Sequence, residues 1–243
     1  MIKTINKPLF NWGNSSNNFR HYLEKEIFEG KIYETLYQVQ EGDIVLDLGA
    51  SIGPFVWDIM DKASKVIAVE PSLPNCELIK LNSKGFPVEI IPKGLTKYNY
   101  SILPRNKIYD NINNEQNWEG NIFEKVGEVI TFYDIIQTYN LDKIDFIKTD
   151  CEGGEYALFT DETMPFLLNN VRNIVGEFHL SNEELKIEFR YFRDKFLKRF
   201  SKYTAYSCDG VDITWDLKNG IEDATNNHFI NYYNEVILHI SNQ

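Results

Sequence analysis

Two stretches of this 243-residue sequence concentrate the side chains that can do chemistry. In the first, VLDLGASIG over 45–53 is followed by VIAVEPS over 66–72, which places Asp47, Gly49, Gly53 and Glu70 in one strand, turn, helix and strand unit. Glycines at such a turn let a ligand approach the backbone, and an acid ending the next strand accepts hydrogen bonds from an adenosine ribose. That much fits NAD and S-adenosylmethionine alike. The turn separates them: Gly49-Ala50-Ser51-Ile52-Gly53 lacks the middle glycine of G-x-G-x-x-G that admits a pyrophosphate. Asp47 adds a second argument, since a carboxylate there repels phosphate but suits a ligand carrying an ammonium and a sulfonium. The residues read as a site for S-adenosylmethionine formed by Asp47, Gly49, Ala50, Ser51, Gly53 and Glu70. Pro71 and Ser72 are expected to shape its adenine side, Lys93 and Gly94 to approach the adenine, and Asp150 to reach it from the opposite rim.

The second stretch is IDFIKTDCEGGE, residues 144–155, in which Asp150 closes a strand, Glu152 sits in a turn and Glu155 lies at the start of the next helix. Lys148 is placed to neutralise these acids. Further on, Glu177 and His179 in VGEFHL stand two residues apart on one strand and so share a face. Parallel strands release their carboxyl ends on one rim, which brings both stretches to one cavity.

Together GDIVLDLGASIG, AVEPSLPNCELIKLN, KTDCEGGE and GEFH resemble, in order, the motifs of the FkbM family of methyltransferases, over roughly residues 41–180. Ser51 stands where that family usually has Asn, and Cys151 where it has a β-branched residue; neither departure removes a charge or a glycine. The resemblance implies a seven-stranded Rossmann-like sheet and methyl transfer to a hydroxyl oxygen, often on a sugar of a polysaccharide or nucleotide-sugar pathway or on a natural product.

Methyl transfer is an in-line displacement, so catalysis is largely the holding of two substrates in line. A sugar hydroxyl is a poor nucleophile that needs its proton removed or its pKa lowered. Two arrangements are open. His179 can be the general base with Asp150 or Glu177 orienting its ring, and Glu152 close by; or Asp150, Glu177 and His179 can bind a divalent metal that also grips the acceptor. Acceptor recognition is expected from Arg105, Tyr109 and Trp118 in an irregular stretch near 97–127, with Glu155, because loops carry specificity and aromatic rings stack on sugar faces.

The elements that must position these groups follow from apolar runs and turn signals. Strands are expected at 44–48, 65–69, 88–91, 129–132, 144–148, 173–178, 202–206 and 233–240, with a weaker one at 212–215. Helices are expected at 19–40, from Gly53-Pro54 through 60, and at 73–81, 133–139, 154–159 and 183–200. The alternation predicts a doubly wound α/β fold: a mostly parallel sheet, an antiparallel final strand and helices on both faces. Residues 1–40 read as a helical brace or lid on a single compact domain over 41–243.

Bulk properties limit the partners. A net charge of −11 provides no positive field for nucleic acid or an anionic membrane, and no segment approaches eighteen apolar residues. Three scattered cysteines signal neither a disulfide framework nor a zinc site. A cytoplasmic enzyme with a small-molecule or carbohydrate acceptor is expected. An NAD-linked oxidoreductase or epimerase, and a cofactor-binding protein without turnover, are the competing readings.

Overall fold

The computed structural model describes residues 7–97, 128–219 and 233–242. In chain order its strands are β1 (Ile44–Leu48), β2 (Lys65–Val69), β3 (Val88–Ile91), β4 (Lys93–Thr96), β5 (Glu128–Thr131), β6 (Ile144–Thr149), β7 (Val171–His179), β8 (Lys202–Tyr206) and β9 (Glu235–Ser241). Its α-helices are α1 (Asn17–Leu23), α2 (Pro54–Ile59), α3 (Leu73–Asn82), α4 (Phe132–Tyr139), α5 (Met164–Asn170), α6 (Glu183–Lys195) and α7 (Thr214–Asn219).

Seven strands form the main sheet in the order β3-β2-β1-β6-β7-β9-β8. Only β9 runs against its neighbours. The expected Rossmann-like architecture is present. Both faces are covered, which is why the central strands are apolar almost throughout. Val45, Val66, Phe146 and Val175 pack with Leu23, Ile27, Tyr33 and the α2 residues Phe55, Val56 and Ile59. Leu46, Leu48, Ile67, Ile147 and Ile174 pack on the other side with Phe132, Met164, Phe189 and Phe192, from α4, α5 and α6. Chain order reverses between β1 and β6, and a crevice opens at such a switch point.

Several elements differ from expectation for local reasons. The single helix expected over 19–40 is divided into α1, a π-helical run Glu24–Glu29 and a 3-10 turn Ile32–Glu34, because Gly30 and a left-handed Lys31 (φ 52°) reverse the chain. Phe132 starts α4 instead of ending a strand, since Thr131 and Asp134 form a reciprocal capping box. β5 pairs in parallel with an unanticipated β4 outside the main sheet. The helix expected at 154–159 is one 3-10 turn, Glu155–Leu158, and the helix expected to reach 200 ends at Lys195, before a short turn. The strand expected at 212–215 is reduced to a Tyr206–Asp212 bridge, beyond which α7 begins. No helix among the described residues is long and apolar enough to cross a membrane.

Candidate functional site

The crevice begins at the turn after β1. Gly49 has φ +76°, and a Cβ added there would lie 1.7 Å from the Asp150 carbonyl oxygen, so only glycine lets the ends of β1 and β6 approach this closely. Ser51 (φ 51°) and Gly53 (φ 85°) complete the left-handed turn before Pro54 opens α2. The N–H groups of Gly49 and Ala50 donate to the Val69 carbonyl at 2.9 and 3.1 Å. Glu70 then ties the turn to α3: its Oε2 accepts the Ser51 N–H at 2.9 Å, and its Oε1 accepts the Ser72 N–H at 2.8 Å and the Asn75 amide at 3.3 Å. Burial pushes the Glu70 carboxyl up to about 7 against these donors. Oε2 keeps acceptor capacity for a ribose hydroxyl. Ser72 is buried and caps α3 through its hydroxyl, beside a partly buried Pro71.

Asp47 is fully buried beneath this turn. Lys148 Nζ stands 3.3 Å from its Oδ1, an ion-pair distance, but points its hydrogen bond at the Gly49 carbonyl, 2.7 Å away. Neither Asp47 oxygen accepts a hydrogen bond among the described residues. Burial raises the Asp47 pKa and Lys148 opposes that rise. Burial also works against the Lys148 charge, yet Asp47 and Asp150 outweigh it and hold its pKa above the usual lysine value. A buried carboxylate that has an ion-pair partner but accepts no hydrogen bond can take a further donor or cation beside Lys148. The ammonium and sulfonium of S-adenosylmethionine fit that place.

Lys93 does not turn toward this pocket. The β4–β5 register sets it opposite Glu128, with which it pairs at 2.9 Å, while Gly94 is buried in β4.

The opposite rim is built by β6 and β7. Asp150 Oδ2 accepts the Tyr33 hydroxyl at 3.2 Å and lies 3.7 Å from Lys148 Nζ. Glu152 occupies a left-handed position (φ 52°) that a non-glycine residue seldom adopts, and its Oε2 is 3.3 Å from His179 Nε2. Glu155 is completely buried, and its Oε1 accepts the Cys151 and Gly153 N–H groups at 2.8 and 2.9 Å while facing His179 Nδ1 at 3.0 Å. Glu155 therefore corrects two expectations. It does not reach out to an acceptor, because the 3-10 turn folds it back onto its own loop. It also takes the orienting role expected of Asp150 or Glu177.

His179 Nε2 is left facing Glu152 and, at 3.8 Å, Glu177. Burial lowers the His179 pKa, but Glu155 foremost, with Asp150 and Glu152, overcomes this and holds it well above the usual histidine value. The converse holds for Glu155, which burial would raise and His179 brings below the usual carboxylate range. Burial first, then Asp150, pushes the Glu177 carboxyl far up. The expected metal trio of Asp150, Glu177 and His179 is divided between two groups of mutually close ligand atoms, Asp150 with Glu155 and His179, and Glu177 with His179 and Glu235.

Four contributors were not anticipated. Tyr33 lies in the stretch expected to be a helical brace and donates its hydroxyl to Asp150, and Tyr22 hydrogen-bonds Glu26, whose carboxyl burial and then Asp150 raise to about 7. Glu26 follows Tyr22 by four residues beside the apolar Leu23 and Ile27, a pattern that marks an acid on the inner face. Glu235 comes from β9 directly opposite His179. The acceptor residues expected at Arg105, Tyr109 and Trp118 lie outside the described residues.

The Methyltransferase FkbM domain profile matches residues 47–204, well over half of the chain and inclusive of both rims. No curated protein matches. Among solved structures, the chain is similar to a precorrin 8w decarboxylase from Methanobacterium thermoautotrophicum, with 13% identity, a TM-score of 0.43 and coverage of 97% of this chain and 92% of that one. It is also similar to an rRNA methylase from Streptococcus thermophilus, with 10% identity, a TM-score of 0.46 and coverage of 93% and 95%. A precorrin-6y C5,15-methyltransferase from Geobacter metallireducens shows 10% identity, a TM-score of 0.43 and coverage of 94% and 90%.

Proposed function

The chain belongs to the FkbM methyltransferase domain family, and from that premise we propose that it moves a methyl group from S-adenosylmethionine to a hydroxyl oxygen of a small acceptor, a sugar of a polysaccharide or nucleotide-sugar pathway or a natural product. The observation that carries the reading is Asp47, a buried carboxylate that pairs with Lys148 yet accepts no hydrogen bond among the described residues, set at the switch point on the rim opposite the His179–Glu155 pair. S-adenosylmethionine, when bound, supplies an electrophilic methyl group. Glu70 holds the ribose, and the Gly49–Gly53 turn brings the backbone close to the cofactor. Asp47 and Asp150, with Lys148 fixed between them, set the field around its positive charges.

On the acceptor side, Glu155 fixes the His179 ring through Nδ1, so Nε2 is the atom that meets the acceptor hydroxyl. The carboxylates around the ligand-free ring favour its imidazolium form; it serves as a base once Nε2 has lost its proton. The net charge of −11 supports a neutral or cationic acceptor over a polyanionic one. Free cysteines at 76, 151 and 208 fit a reducing, cytoplasmic setting.

Titration calorimetry with S-adenosylhomocysteine and with NAD tests the cofactor assignment: heat is expected with the first and none with the second. Absence of heat with S-adenosylhomocysteine overturns it. Transfer of labelled methyl from S-adenosylmethionine to hydroxylated sugars, set against their amino analogues, tests the acceptor class.

A further inference from the structure

We propose that Glu177, His179 and Glu235 form a divalent-cation site at the end of the β7–β9 ribbon, suited to an Mn²⁺-like ion. Glu177 and His179 share a face of β7, and Glu235 lies opposite His179 in the antiparallel register, so all three side chains leave the sheet on one side. One ligand atom from each lies within 4.8 Å of the others. Glu152 Oε2, 3.3 Å from Nε2, is near enough to be a further oxygen ligand. Metal–ligand bonds of about 2.1 Å put neighbouring ligand atoms ~3 Å apart, a spacing that small side-chain rotations reach from here.

Two further features point to a ligand rather than to a chance cluster of acids. Glu177 is about nine-tenths buried and accepts no hydrogen bond among the described residues, although its Oε1 is aimed at His179 Nε2 from 3.8 Å. A carboxyl buried in that state is held neutral unless a cation or further donor joins it. His179 also carries the arrangement found behind metal-bound histidines: Nδ1 is held by Glu155, which directs Nε2 outward and fixes its tautomer. Glu155 stands behind the ring as an outer support, its Oε1 shared among two N–H groups and Nδ1, and it belongs to the other ligand-atom group, with Asp150. One imidazole nitrogen among carboxylate oxygens, with no thiolate in the set, favours Mn²⁺. Binding of the ion does not depend on the function proposed above; its use, to grip an acceptor oxygen and lower its pKa, rests on that function and replaces the Nε2 base there, since Nε2 then ligates the ion.

The test uses the full chain stripped with EDTA and titrated with MnCl₂, followed by the electron paramagnetic resonance of free Mn²⁺ and by calorimetry. Saturable uptake at a single site is expected. His179→Gln and Glu235→Gln should each weaken it at least about tenfold, and Glu77→Gln, at an exposed acid of α3, should leave it unchanged. Glu235 is only half-buried at a strand end, so that variant carries the test should His179→Gln fail to fold by circular dichroism. No uptake by the wild type, or uptake in both site variants as tight as in the wild type, overturns the proposal. Heat with S-adenosylhomocysteine in the same samples keeps that failure distinct from failure of the methyltransferase reading.

Discussion

Glu155 Oε1 and His179 Nδ1 lie 3.0 Å apart, both buried, and this contact joins the loop after β6 to the end of β7. The same oxygen gathers the N–H groups of Cys151 and Gly153, so a single carboxylate sets the loop conformation and the ring direction together. Loop and ring cannot be altered independently.

Replacing Glu155 by Ala should therefore cost about 3–5 kcal/mol, because it leaves a buried imidazolium and two turn N–H groups uncompensated. Glu155→Gln, which keeps an acceptor oxygen, should cost less. Urea unfolding of the two variants measures the difference, and equal, small losses would remove Glu155 from this role.

Glu70 makes cofactor affinity depend on pH. Its folded pKa, about 7, lies above the ordinary carboxylate value, so the folded protein holds the proton more tightly than the unfolded chain. This group's contribution to stability is greatest at acid pH and is lost as pH rises through about 7. Ribose binding uses the ionised form, so S-adenosylhomocysteine affinity should rise across the same window. Glu70→Gln should weaken binding and flatten that dependence in calorimetric titrations run from pH 6 to about pH 8.

Gly49→Ala should be severe. The new Cβ meets the Asp150 carbonyl at 1.7 Å, and the φ of +76° adds strain of ~1–3 kcal/mol for any L side chain. Gly42→Ala is the control: φ is +92° there but nothing lies within 4 Å, so only the strain remains. Thermal unfolding should show a large loss for the first and a modest one for the second, with S-adenosylhomocysteine binding lost in the first alone.

Lys148→Met should destabilise the fold by ~3–5 kcal/mol, since it strands Asp47 and Asp150 without their buried cation. Adding Asp47→Asn to that variant should recover part of the loss. A double-mutant cycle by chemical denaturation reads the coupling, and strict additivity would show that the two residues act separately.

The sequence alone determined the frame and the placement of residues around the β1–α2 turn. Apolar runs at 44–48, 65–69 and 144–148 specify buried parallel strands, and a glycine turn with Pro54 specifies the entry to α2, because these are local patterns of burial and backbone conformation. Asp47 and Glu70 were legible because they sit at fixed offsets from that turn. Only the tertiary structure decided the arrangement of the β6–β7 rim. Glu155 was misread since a helix start would expose it, whereas Gly153 and Gly154 fold it back onto His179. Tyr33 and Glu26 reach the site through the reversal at Gly30 and Lys31, which a single helix over 19–40 does not anticipate. Glu235, more than fifty residues from His179, becomes its neighbour through strand pairing. Hydrogen-bonding and charge partners distant in sequence are chosen by register and topology, and those are set by the packing of the whole sheet.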